Sequence, residues 1–102
     1  MILSSAIQLP CGAVLNNRIA KAAMTEGLAD TQGVPTPELQ RLYGIWSDGG
    51  AGLQISGNIH IDADHLERAG NVFFGGQPDE AMMDALKSWT KAATRNGNHF
   101  WA

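Results

Sequence analysis

Residues 17–30 read Asn17-Arg18-Ile19-Ala20-Lys21-Ala22-Ala23-Met24-Thr25-Glu26-Gly27-Leu28-Ala29-Asp30. An apolar-leaning segment runs directly into small and hydroxyl-bearing residues and then into a loop opened by Gly27. A strand that ends in this way delivers functional groups to a rim, as the strands of a (β/α)₈ barrel do where their βα loops begin. The first main strand is therefore expected over residues 18–25.

Upstream, Ile7 and Leu9 precede a Pro10-Cys11-Gly12 turn, and Ala13-Val14-Leu15 follow it. Residues 6–16 thus predict a hairpin, with Gly12 free to take positive φ. Downstream, Thr36 is the expected N-cap of a helix and Pro37 its first-turn residue, where a missing N–H costs little. Leu39, Leu42, Tyr43 and Trp46 lie at i, i+3, i+4 and i+7, one face of that helix, and Gly49-Gly50 ends it. Tyr43 on this face reads as core.

Residues 52–61 alternate, with Leu53, Ile55, Ile59 and Ile61 on one side and Gln54, Ser56, Asn58 and His60 on the other. A polar loop is expected over 62–77. A second helix begins near Pro78-Asp79-Glu80, with Met82, Met83, Leu86, Trp89 and Ala93 as its buried stripe. Lys87, Lys91 and Arg95 gather toward its end, Asn96-Gly97 closes it, and residues 98–102 open a third strand. The order hairpin, β, α, β, α, β implies parallel strands with right-handed crossovers. A doubly wound sheet and a barrel share that order, and the additional hairpin favours the barrel.

Composition excludes several classes. A net charge of −3 over 102 residues gives no basic patch for nucleic acid or an anionic membrane. No apolar run approaches the ~20 residues that span a bilayer, and the first residues lack the pattern of a secretory signal. The single cysteine, Cys11, forms no internal disulfide and suits a reducing compartment, so the cytoplasm is expected. Gly49-Gly50-Ala51-Gly52 follows a helix and opens a strand, the reverse of a dinucleotide-binding loop. Gly75-Gly76 lies before a helix but lacks the Lys-Ser/Thr of a phosphate loop and reads as a turn. His60, His65 and His99 do not have zinc spacing, so no metal is expected. His60, near the end of its strand, is a candidate for the rim, while His65 sits in the charged loop Asp62 to Arg68. No nucleophile–base pair is legible.

The residues Leu9-Pro10-Cys11-Gly12-Ala13-Val14-Leu15-Asn16-Asn17-Arg18-Ile19, Ala23-Met24-Thr25, Gly33-Val34-Pro35-Thr36 and Ala51-Gly52-Leu53-Gln54-Ile55-Ser56-Gly57, with Trp89 and Asn96-Gly97, together resemble the old yellow enzyme family of flavin-dependent ene-reductases. The resemblance implies an α/β fold, the N-terminal part of a (β/α)₈ TIM barrel. It would comprise a bottom hairpin, two βα units and the start of a third strand, with residues 1–102 one fragment of a single FMN-binding domain. It implies FMN as cofactor, NAD(P)H as reductant, and a small-molecule electron acceptor, an activated C=C or another oxidant, as partner, with self-association left open. The implied cofactor-binding residues are Ala23, Met24, Thr25 and Gly57. Thr25 would bond near the flavin C4 carbonyl and N5 edge, and Gly57, without a Cβ, would let the ring come close. Ala23 stands where the family commonly has Pro, and Lys21 where it often has an apolar residue; Lys21 is expected to snorkel or to meet a carboxylate.

The resemblance also implies that a Gln, a His/His or His/Asn pair, a Tyr proton donor, an Arg and a phosphate site lie beyond residue 102. The 102 residues alone are then expected to be inactive and to bind FMN weakly or not at all. The competing reading is a small stand-alone α/β interaction module without catalysis; a different flavin- or phosphate-binding barrel is a further alternative.

Overall fold

The computed structural model describes residues 2–102, and its elements follow the expected order. A short 3₁₀ turn (Ile2–Ser4) precedes an antiparallel hairpin, β1 (Ile7–Gln8) and β2 (Val14–Leu15), in which Ile7 pairs with Leu15. Gly12 closes its turn at φ +93°, donating its N–H to the Leu9 carbonyl.

The main sheet holds β3 (Ala20–Lys21), β4 (Leu53–Ile55) and β7 (His99–Trp101), all parallel, with β4 in the centre. Two helices make the crossovers, α1 (Pro37–Asp48) and α2 (Glu80–Ala93). Thr36 caps α1 by accepting from the Leu39 N–H, and Asp79 caps α2 by accepting from the Met82 N–H. Gly50, at φ +97°, turns the chain out of α1 toward β4.

The core lies between the helices and the sheet. Leu39 and Tyr43 of α1 meet Trp89 and Ala93 of α2, with Val72 beside them. Tyr43 packs edge-on against Trp46, Trp89 and Phe100, with ring centroids 5.1–5.4 Å apart. Such pairs add about 0.5–1.5 kcal/mol each beyond the area they bury.

Three expectations are corrected. The first strand is paired only over Ala20–Lys21; residues 22–27 continue without ladder bonds. The alternating segment 52–61 is not one strand. It breaks after Ile55 and resumes as β5 (Ile59–His60), which pairs in parallel with β6 (Val72–Phe73), inside the stretch expected to be all loop. Gln54 on β4 and Ser56 just after it are buried, Gln54 because its side chain points at the two helices that cover that face of the sheet. Gln54 is tolerated there because its amide donates to the carbonyls of Tyr43 (3.1 Å) and Ala93 (2.7 Å), tying both helices to the sheet. On α2, Met83 stays 38% exposed while Met82, Trp89 and Ala93 form the buried stripe.

Candidate functional site

The two ends of the sheet differ in construction. At the amino ends of the strands, Asn17 accepts from the Gly52 N–H (2.8 Å) and donates to the Gly50 carbonyl (2.7 Å), while Asn16 donates to the Gly97 carbonyl (3.1 Å). The hairpin follows there, with His99 reaching the β2 carbonyl of Val14 at 3.1 Å. A Cβ on Gly52 would fall on the Asn17 backbone, so the αβ turn passes closely under the sheet. This end is a structural base.

At the carboxyl ends the two βα loops lie against each other. The Ala29 N–H donates to the Gly70 carbonyl (2.8 Å), and the Phe73 N–H to the Gly33 carbonyl (2.9 Å). Gly33, at φ +78°, lies where a side chain would strike Phe73. Ala22, Ala23, Met24 and Thr25 form a continuous exposed run at this end, with Met24 55% exposed. The amides of Ala23, Met24 and Thr25 and the Thr25 hydroxyl have no hydrogen-bond partner among the described residues. A strand tip with unspent donors and no covering side chains is suited to the edge of a planar polar ligand.

Gly57 sits directly beside this tip, so the four residues singled out in the sequence are together in space. The strand packing gives a reason of its own for a glycine at 57. A Cβ there would fall on the Met24 carbonyl and the Glu26 carboxylate, so the glycine is required by the approach of the neighbouring strand tip. Its N–H is also spent, donating to the Tyr43 hydroxyl at 2.9 Å and lying 3.4 Å from Glu26 Oε2.

Two residues not placed at the site by sequence reasoning belong to it. Glu26 accepts a hydrogen bond from the Tyr43 hydroxyl at the same oxygen that faces Gly57. Tyr43 is core as expected, fully buried, but its hydroxyl reaches the site from within. Burial raises the Tyr43 phenol pKa first, and the bond to Glu26 raises it further, against the Gly57 N–H. The phenol stays protonated and donates. The only advance signal was the position of Glu26 directly after Thr25; nothing in the spacing tied it to Tyr43.

The remaining candidates lie elsewhere. His60 ends β5 with its Nε2 3.1 Å from the Asn71 amide, which also donates to Glu67. His65 pairs with Asp62 at 2.8 Å in the exposed loop, and Cys11 is exposed in the hairpin turn. Among the described residues no three His, Cys, Asp or Glu side chains converge on a point. No helix among them is long and apolar enough to cross a membrane.

No protein-family model matches the chain. Curated relatives do. It is 35% identical over 92 residues to the NADH-dependent flavin oxidoreductase iliE of Neonectria sp. (strain DH2), covering 89% of this chain and 12% of that protein. It is 31% identical over 99 residues to the NADH-dependent flavin oxidoreductase iccE of Talaromyces variabilis, covering 93% of this chain and 23% of that protein. The old yellow enzyme homologue from Zymomonas mobilis superposes with a TM-score of 0.79 and 26% identity over 98% of this chain and 26% of that one. The chain is thus similar in sequence to flavin oxidoreductases and in fold to an old yellow enzyme homologue. It spans only 12% to 23% of the length of the two relatives. Morphinone reductase shares the fold at a TM-score of 0.78 and 23% identity over 96% of this chain.

The fold accordingly matches part of the (β/α)₈ barrel of that old yellow enzyme homologue, and the hairpin β1–β2 lies under the amino ends of the strands. The exposed run at Ala23–Thr25 lies at the opposite, carboxyl end, where barrels of this class build their sites.

Proposed function

We propose that this chain contributes the first strand tips of an FMN-dependent oxidoreductase, one that moves reducing equivalents from NAD(P)H to a small acceptor such as an activated C=C. One observation carries the reading: the exposed Ala23–Thr25 tip, with unspent amide and hydroxyl donors, is seated against Gly57 at the carboxyl end of a barrel sheet. The names of the curated relatives support it, since each is called an NADH-dependent flavin oxidoreductase.

The residues fit an isoalloxazine edge in their chemistry. Ala23 and Met24 offer apolar surface to a flat ring, and the amides of Met24 and Thr25 offer donors to its carbonyl and N5 edge. The Thr25 hydroxyl can donate or accept, so it suits either redox state of that edge. Gly57 acts indirectly, by letting the tip lie close to β4. FMN, when bound, supplies hydride-transfer chemistry; the protein's part here is to orient the ring and tune its polar edge.

The test is titration of the isotope-labelled 102-residue chain with FMN, following backbone amides by NMR. Weak, saturable shifts concentrated at Ala23, Met24 and Thr25 are expected. Saturable shifts centred on another part of the fold overturn the reading.

A further inference from the structure

Residues 22–27 carry no ladder hydrogen bonds, yet they end against the centre of the sheet. An exposed segment without backbone partners opens at little cost unless something else holds it. The held point is Glu26. Its Oε2 accepts from the Tyr43 hydroxyl and lies 3.4 Å from the Gly57 N–H, which itself donates to Tyr43 at 2.9 Å. These three groups close a ring of hydrogen bonds joining the β3 tip, α1 and the end of β4. Tyr43 gives the ring a rigid anchor, because it is fully buried and packed by three aromatic neighbours.

We infer that Glu26 is the positioning residue of the strand tip: joined to Tyr43 and set against Gly57, it fixes Met24 and Thr25 beside the end of β4. Its bearing on flavin rests on the function proposed above; its bearing on the tip does not. Glu26 is half-buried while its neighbour Thr25 is exposed, so anchoring the one inward leaves the other presented outward. The clamp also couples three positions. The carboxylate and the Met24 carbonyl occupy the space a side chain at 57 would need, and the phenol spans the distance from α1. A hydrogen bond to a charged acceptor in a half-buried site is about twice as strong as a neutral one, which suits a clamp on an otherwise unbonded segment.

The experiment compares the 102-residue chain with Glu26→Ala, Glu26→Gln and Tyr43→Phe, by NMR amide relaxation without flavin and by FMN titration. In Glu26→Ala the Met24 and Thr25 amides are expected to become mobile while amides of α2 keep their wild-type shifts. FMN affinity at the tip is expected to fall about tenfold, the loss that removing one charge-assisted hydrogen bond brings. Glu26→Gln retains an acceptor oxygen and is expected to restore most of the order. Should Glu26→Ala fail to fold, Tyr43→Phe removes the same bond by deleting one oxygen and decides by the same relaxation readout. Tip amides as ordered in these variants as in wild type would overturn the inference. A wild-type tip that is ordered while FMN binds saturably elsewhere on the chain would overturn the flavin reading and leave the positioning role standing.

Discussion

The ammonium of Lys21 lies 4.4 Å from the ring centroid of Trp46, and 5.5 Å from that of Tyr43. It also donates to the Ala22 carbonyl at 2.6 Å. A cation on a barrel strand is thus accommodated by the faces of two aromatic rings on α1, whose quadrupoles attract it. Burial lowers the Lys21 pKa, and the charge of Glu26 works in the other direction.

Attraction to the rings and partial desolvation of the ammonium oppose each other, so Lys21→Met is expected to change stability by less than about 1 kcal/mol. Lys21→Glu reverses the sign against the ring faces and adds a second anion near Glu26. It is expected to cost more than about 1 kcal/mol. Urea unfolding of the two variants checks this; equal effects would remove the charge from the account.

Tyr43 is the single tyrosine of the sequence, so its ionisation can be followed directly by ultraviolet absorbance. Its pKa is raised by burial and by Glu26 from the ordinary value of 10.0. The unfolded chain therefore releases this proton at lower pH than the folded one. Stability from this group is complete below pH 10.0 and is lost as pH rises above it. Lys21, with its lowered pKa, gives an opposite and weaker slope just below 10.5, where the unfolded chain holds the extra proton. Chemical denaturation from pH 8 upward is expected to show the fall in wild type and a shallower one in Tyr43→Phe.

Gly57→Ala places a methyl group on the Met24 carbonyl and the Glu26 carboxylate. One of those contacts is backbone and cannot swing aside. The variant is expected to lose about 1–3 kcal/mol, typical of overpacking, and to shift the Thr25 amide resonance. A methyl tolerated at wild-type stability would refute the close approach of the two strand tips.

Trp89 is 1% exposed and joins the two helices to Phe100 of β7, its ring 5.3 Å from Tyr43 and 5.2 Å from Phe100. Trp89→Ala is expected to cost about 3–5 kcal/mol through the cavity it leaves. Among the described residues the indole N–H has no hydrogen-bond partner, so Trp89→Phe removes volume without orphaning a polar group and is expected to be much milder. Thermal unfolding by circular dichroism distinguishes the two.

Both helices were legible because each carries a cap, an apolar stripe and a stop within a dozen or so residues, and such signals act locally. The hairpin was legible for the same reason, through its Gly12 turn. What failed was the 52–61 alternation read as one strand, and nothing in it marked Gln54 as buried. Its burial depends on two helix carbonyls, of Tyr43 and Ala93, that are 11 and 39 residues away in sequence. The β5–β6 pair escaped notice because a two-residue strand has too little periodicity to register. At the site, Ala23, Met24, Thr25 and Gly57 could be selected from resemblance, but the contact of Gly57 with Met24 and Glu26 could not, since only the fold shows which atoms fill the space beside it.

By itself the order of residues determined the alternation of strands and helices, their caps and turns, and the kinship that points to a flavin. Those properties depend on neighbours within a few positions, where the chain's own geometry brings the groups together. The tertiary structure alone decided that Glu26, Tyr43 and Gly57, from three separate elements, share one set of hydrogen bonds. Contacts across 14 to 31 residues depend on the packing of α1 against the sheet, which no local pattern encodes.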